Sequence, residues 1–447
     1  MKQILIVGGG LSGLAAGVAL AEAGHKVELL ERRPFLGGRA YSFFDKTSGD
    51  VVDNGQHLMM GCYKETFKFF SRLGTLDRLH FQSQARVDFL DQRLGQTTLL
   101  CPSWPAPLHL LGGLFKLKGI SFSDKLRALL VGSALQTKNG QLAKKFGSLT
   151  VDEWLNNCKQ SQQMRERFWD PFSIATLNEN PKVAPAILLV RVLQQAFGGT
   201  KEDSTMVTAK VGLSELYTEQ ARKFIESRGG KVTLRSIVEK FDISGNDCQG
   251  VILNNGETRK ADLYISAVPY FALNQLLPNT LFDQPYFKQW KDLSSSPIIS
   301  IYLWFDRPVT ELGFAGMLGT RMQWLFNKDV LFARSVRDKQ LLTFVISAAH
   351  KFASLPKEKL IAMAIEDVKK VLPKSSEAKV LQSLVIKEHH ATFSASVLVE
   401  SSRPEPVTPI KNLFLAGDWT NTGLPATIEG AVLSGHRCAN EINKIIK

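Results

Sequence analysis

The stretch from Val52 to Tyr63 reads VDNGQHLMMGCY and places an aspartate, a glutamine, a histidine, two methionines and a cysteine within a dozen positions. Asp53 and His57 are its proton-transfer groups, with His57 the first candidate donor and Asp53 the second. The other role open to His57 is structural, its ring satisfied by a backbone carbonyl. A metal site needs more ligands than this stretch offers. His57 and Cys62 are five apart with no partner pair, and methionine ligands would imply copper, for which nothing else argues; no metal is expected. Leu58, Met59 and Met60 read as pliable apolar lining for a long ligand.

Such a site needs a scaffold, and the first residues supply one. Gln3 to Val7 form a short apolar run, the pattern of a buried parallel strand. Gly8, Gly10 and Gly13 follow in GxGxxG spacing, with Leu11 and Ser12 in the first turn of the helix they open. Gly8 serves the tight turn, Gly10 the approach of a pyrophosphate, and Gly13 the packing of helix on strand. The helix terminus offers amide donors to phosphate. A second strand, KVELLE, closes on Glu31, placed to accept from ribose hydroxyls; an acid here argues against a 2′-phosphate. Arg32 follows it. In RRPFLGGRAYSF, Gly37 and Gly38 make a second point of backbone approach, and Arg39 can add charge to the pyrophosphate.

The far end of the chain completes the pattern. NLFLAGDW is an apolar strand running into Gly417 and Asp418, the latter placed after a strand end to hydrogen-bond a dinucleotide. Thr427, Ile428, Glu429 and Ala431 lie at the start of a helix whose apolar side should carry Val432, Cys438, Ile442 and Ile445. Gly430 would let a planar ring approach, with the first-turn amides facing its electron-rich edge. Between the two ends, a β-rich stretch turns at Asn255–Gly256 and ends in a buried strand from Leu263 to Val268.

Glu31, a short loop and then GGR, in this order, resemble the FAD-binding amine oxidase and carotenoid desaturase superfamily. The resemblance implies an α/β fold: a Rossmann-like FAD-binding domain of the glutathione reductase type, assembled from separated segments, with an inserted α+β substrate domain. It implies that Val238 meets the adenine through its backbone and that Gly55, Gln56 and His57 lie near the isoalloxazine. DNGQHLMMGCY, WDPFSIATLNENP (Trp169 to Pro181) and GDWTNTGLPATIEGAVLSG (Gly417 to Gly435) are most similar to the bacterial hydroxysqualene dehydroxylase family. That family's activity would be reductive removal of the allylic hydroxyl of hydroxysqualene, giving squalene for hopanoid synthesis. The last motif also resembles plant-type phytoene desaturases, so oxidative desaturation of a carotenoid precursor is the alternative.

An amine substrate is disfavoured. Pro425 to Ile428 hold no aromatic for an amine cage, and SSSPIIS, where such enzymes carry a lysine, has none. The loop before Glu429 lacks a cysteine, so FAD is expected to be non-covalent. A flavin-free prenyl-binding escort would have lost parts of this motif set, which is complete. The partners implied are a long-chain isoprenoid and membrane lipid. With no second GxGxxG, the sequence names no electron donor.

The 447 residues divide on this reading into FAD-binding segments 1–82, 208–269 and 390–447 and substrate-domain segments 83–207 and 270–389. The balance of 55 basic to 42 acidic residues favours anionic partners. The basic residues are scattered, without a dense block, so a membrane surface is expected rather than nucleic acid. Residues 104–135 carry Trp104, Leu108, Phe115, Phe122, Leu126, Leu129 and Leu130 interrupted by Lys116, Lys118, Lys125 and Arg127. This segment either dips into a bilayer or is an ordinary core helix. No apolar run is long enough to span a membrane. The N-terminal run is read as a nucleotide site rather than an export signal. Five scattered cysteines without CxxC fit a reducing cytoplasm, with a peripheral place on the inner face of the cell membrane.

Overall fold

The computed structural model describes residues 1–291, 293–334 and 339–446. Its organising element is a five-stranded parallel sheet in the order Lys231–Thr233, Lys26–Leu30, Gln3–Val7, Leu263–Ser266, Leu413–Leu415. These strands come from the beginning, middle and end of the chain. Parallel strands buried on both faces need apolar side chains throughout, which is why ILIV and LYIS carry no alternation. The Leu11–Glu22 helix packs on this sheet beside the C-terminal helix Ile428–Ile446. Val432, Cys438, Ala439 and Ile442 are fully buried there, whereas Ile445, expected on the apolar side, is 58% exposed. It falls in the last turn, beyond the reach of the packed face.

A three-stranded antiparallel unit, Val238–Ser244, Asp247–Leu253 and Thr258–Arg259, leads into Leu263–Ser266, with Gly256 at the expected turn. The second large sheet has seven strands in the order Val380–Phe393, Ser295–Phe305, Gln340–Ile346, Trp324–Asn327, Phe314–Leu318, Arg86–Asp91, Gly95–Leu100. It therefore draws on both inserts, and its first strand runs past residue 389.

In Ser295–Phe305, Ile299, Ile301, Leu303 and Phe305 alternate with Ser300, Tyr302 and Trp304, so the two sets take opposite faces. The aliphatic set packs with Leu360, Ala364 and Val368 of the Lys357–Val371 helix. On the opposite face Tyr302 and Trp304 pack against Val52 and Leu341. Phe89, Phe326 and Val345 join a core with Met60 and the helical residues Phe168 and Leu177. The sheet is thus sealed behind by one helix and faces the VDNGQHLMMGCY segment in front.

Candidate functional site

The dinucleotide end is built by the first strand and helix. Gly8 has φ +111°, and a Cβ there would meet the Ala267 carbonyl at 2.8 Å. A Cβ on Gly13 would stand 2.0 Å from the Gly8 carbonyl, so glycine alone allows the helix to begin this close to the strand. Gly10, in contrast, has open space on its Cα, bounded by the Cα of Gly38 at 3.7 Å, and it bridges to Gly37. The helix that follows has no side-chain cap and no acid in its first turn. Its orphan amides at Leu11, Ser12 and Gly13 stand ready for an anion, and the residues fit a pyrophosphate.

Glu31 is buried at the end of the second strand. Its Oε2 accepts from Gly9 N at 2.7 Å and its Oε1 from Arg33 N at 2.8 Å. The carboxylate thereby braces the glycine turn, keeping spare lone pairs for a ribose. Arg235 N and Ser236 N donate to the carbonyls of Arg33 and Glu31, which brings Val238 to the same edge. Arg32 lies exposed; Arg33, not Arg32, reaches back to the glycines through Gly38 O.

Two expectations change at the C-terminal segment. Arg39 is paired with Asp418 at 2.5 Å and donates to Ala391 O at 3.2 Å, so each neutralises the other. Asp418 is the more buried partner and the Arg39 charge is not free for phosphate. The Glu429 side chain faces away from the helix terminus it was expected to serve. Its oxygens accept from Glu65 N at 3.0 Å, Thr66 N at 2.9 Å and Thr66 Oγ1 at 2.6 Å, capping the Lys64–Arg72 helix. Burial pushes this carboxyl up, opposed by the bonds from Thr66 and Glu65. The space beside Gly430 is filled by the Pro425 carbonyl, not left for a ring, and Thr427 Oγ1 caps Gly430 N at 3.0 Å. Ala431 N bonds to Thr427 O, whereas Gly417 N donates to Ser434 Oγ, further along the same helix, at 2.9 Å.

At the other end, the VDNGQHLMMGCY segment meets the seven-stranded sheet. Tyr302 OH donates to Asp53 O at 2.5 Å and accepts from Gln56 Nε2 at 3.3 Å. Asp53, read above as a proton donor, is instead in a buried ion pair with Lys328, its second oxygen accepting from Leu213 N. A carboxylate so held accepts and has no proton to give. His57 Nδ1 lies 3.0 Å from Gly55 O. A carbonyl only accepts, so Nδ1 carries the proton and the neutral ring presents Nε2 as an acceptor. Burial holds the His57 pKa below its ordinary value, against the pull of Asp53 and with the help of Lys328. The bond to Gly55 O is the structural role the sequence allowed for His57, and it leaves Nε2 as an acceptor.

Sequence reasoning missed Lys328. It follows the apolar strand Trp324–Asn327, outside the SSSPIIS stretch where a lysine was sought, yet it is 1% exposed beside Asp53, its ammonium 4.3 Å from the centre of the Phe332 ring. Also unsignalled were Ser300 and Thr343, fully buried hydroxyls that find no partner among the described residues; Ser300 stands opposite Gly55. Met59 and Met60 are both buried but in different cores, Met59 with the nucleotide-sheet helices and Met60 with Leu58 on the other side. All five cysteines are free, and no cluster of metal-ligand type occurs among the described residues.

A parallel sheet that offers an uncapped helix terminus to a dinucleotide, next to a second sheet with buried proton-handling groups, defines a nucleotide-dependent oxidoreductase. The chain belongs to the family described as flavin containing amine oxidoreductase, matched over residues 11–443, and its cofactor is FAD. It is 29% identical over 461 residues to a chloroplastic/chromoplastic 15-cis-phytoene desaturase of Narcissus pseudonarcissus, covering 98% of this chain and 79% of that one. It is 27% identical over 443 residues to the hydroxysqualene dehydroxylase of Zymomonas mobilis, covering 98% and 99%. Among solved structures, a putrescine oxidase variant aligns with TM-score 0.76 at 18% identity, covering 99% of each chain. An oxidoreductase from Methanosarcina mazei aligns with TM-score 0.73 at 21% identity over the whole of both. These likenesses carry the Rossmann-like fold.

Proposed function

We propose that this oxidoreductase removes the allylic hydroxyl of hydroxysqualene reductively, giving squalene. The observation that carries the reading is a polar group set among apolar side chains: Gln56, His57 and the buried Lys328–Asp53 pair line one cavity with Leu213, Phe326 and Leu331. An allylic alcohol must lose its oxygen as water, a step in which a buried ammonium can serve as the proton donor. The end-to-end match to the Zymomonas mobilis dehydroxylase supports the same reading. Desaturation of a carotenoid precursor is the second reading, favoured by the neutral His57, whose Nε2 is set to take a proton rather than give one.

In this proposal FAD sits along Gly8 to Gly13, with Glu31 toward the ribose and Val238 toward the adenine. Gly37, Gly38 and the Arg39–Asp418 pair would hold the pyrophosphate side without net charge. Gly55, Gln56, Gly417 and the Ile428–Glu429 amides would face the ring. Bound and reduced, FAD supplies a hydride. The chain's own share is to position a long isoprenoid so that its C–O carbon faces that hydride, to exclude water, and to supply one proton.

Residues 104–130 are proposed to rest on an anionic bilayer. Trp104, Leu108, Phe122, Leu126, Leu129 and Leu130 are all 45–67% exposed. Lys116, Lys118 and Arg127 are exposed around them. Among the described residues no helix is long and apolar enough to cross a membrane. The function is tested by incubating photoreduced enzyme anaerobically with hydroxysqualene and analysing products. Squalene is expected; no squalene, with phytoene instead oxidised by the oxidised enzyme, would give the second reading.

A further inference from the structure

Behind His57 the chain encloses a cavity of about 10 Å³ lined by Asp53, Gln56, His57, Thr208, Phe326, Lys328 and Phe332. That is room for about one water, which needs two to four polar partners to be held. The lining provides them. An ammonium has three N–H donors, and among the described residues Asp53 is the one hydrogen-bond acceptor that Lys328 meets. His57 Nε2 is an acceptor because Nδ1–H is engaged by Gly55 O. Gln56 gives its amide N–H to Tyr302, leaving its carbonyl oxygen, and Thr208 adds a hydroxyl.

We propose that this cavity is a one-water acid chamber in which Lys328 holds the proton that turns the departing hydroxyl into water. The inference rests on the dehydroxylation reading above. The allylic C–O bond breaks with its electron pair on oxygen, and the proton from the Lys328 ammonium, passed across the chamber, makes that oxygen water. The new C–H bond takes its electron pair from the hydride of reduced FAD, which is thereby oxidised. Lys328, left as the amine, regains a proton from solvent. His57 does not donate; it orients the chamber's water by accepting from it.

The surrounding charges suit a proton that is held but can be released. Asp53 keeps the ammonium in place. Arg334, paired with Asp50 at 2.9 Å and Asp329 at 3.5 Å, adds a second positive charge nearby. Burial lowers the Lys328 pKa from its ordinary value; Asp53 opposes this and Arg334 assists.

The double variant Lys328→Met/Asp53→Asn tests the assignment without leaving one buried charge unpaired. It should fold and bind FAD, shown by its flavin spectrum. Its rate of squalene formation should fall by about 10²- to 10⁴-fold, with KM little changed. Wild-type turnover should decline with rising pH below the usual lysine range, and the variant should lose that limb. Lys328→Arg, which keeps a cation but does not release its proton, should be nearly as slow. In the substrate-free oxidised protein, ¹⁵N-labelled lysine should show one ammonium, absent from the variant, titrating below the ordinary range. A variant within threefold of wild type with the same pH limb overturns the proposal, as does Lys328 titrating ordinarily. If the wild type forms no squalene, the dehydroxylation reading itself fails and the acid chamber falls with it.

Discussion

Replacing Glu429 separates two roles that the EGA motif allows. Its carboxylate takes three bonds from the start of the Lys64–Arg72 helix, and Thr66 is fully buried. In Glu429→Ala, two backbone N–H groups and one hydroxyl lose their acceptor. Each such loss costs on the order of 1–2 kcal/mol. Part of the total is returned, because the charged form no longer has to be buried, the effect that pushes this carboxyl up. The net destabilisation is about 3 kcal/mol, and Glu429→Gln, which keeps one acceptor oxygen, should lose roughly half of that. At an unfolding entropy of about 2.1 cal/mol/K per residue, 3 kcal/mol lowers Tm by roughly 3 °C if the 447 residues melt together. Differential scanning calorimetry of the FAD-free protein reads this without the cofactor. The reasoning is refuted if FAD-free Glu429→Ala melts with the wild type while FAD affinity drops a hundredfold, which would make the carboxylate a cofactor ligand.

Gly13→Ala forces a Cβ onto the Gly8 carbonyl at 2.0 Å; about 1–3 kcal/mol of overpacking should appear as a ten- to hundredfold weaker hold on FAD. Full flavin content at unchanged affinity would contradict it. Burial holds His57 and His436 below the ordinary histidine pKa, with Glu65 opposing at His436. Between about pH 6.5 and their lower folded values the unfolded chain binds more protons, so stability falls as pH falls through that window. Calorimetry at pH 7 and pH 5.5 should show a smaller loss in His436→Asn than in the wild type; an equal loss would count against the assignment. Phe122→Glu/Leu126→Glu should abolish co-sedimentation with phosphatidylglycerol vesicles while leaving the FAD spectrum intact; undiminished binding would move the lipid contact elsewhere.

The nucleotide half was legible because its demands are local. GxGxxG, the acid closing KVELLE and the apolar runs each impose backbone geometry within a few residues, and the strands form where those runs lie. Side-chain partners were less legible, since they come from segments distant in sequence. Nothing in GDW or GGR announces that Asp418 and Arg39 pair across 379 positions. Glu429 was read with its neighbours as part of a cofactor-facing turn, yet its carboxylate meets a helix 363 positions away. Lys328 had no local signal at all: a lysine after an apolar strand is ordinarily solvated, and only the fold turns it inward to Asp53. The expected role of His57 changed for the same reason, because the Gly55 carbonyl decides which nitrogen carries its proton.

The most direct test of the account is a stopped-flow trace of photoreduced enzyme mixed anaerobically with hydroxysqualene. The account predicts that the oxidised flavin spectrum returns in step with squalene, one for one. A flavin that stays reduced in the presence of saturating hydroxysqualene would contradict it.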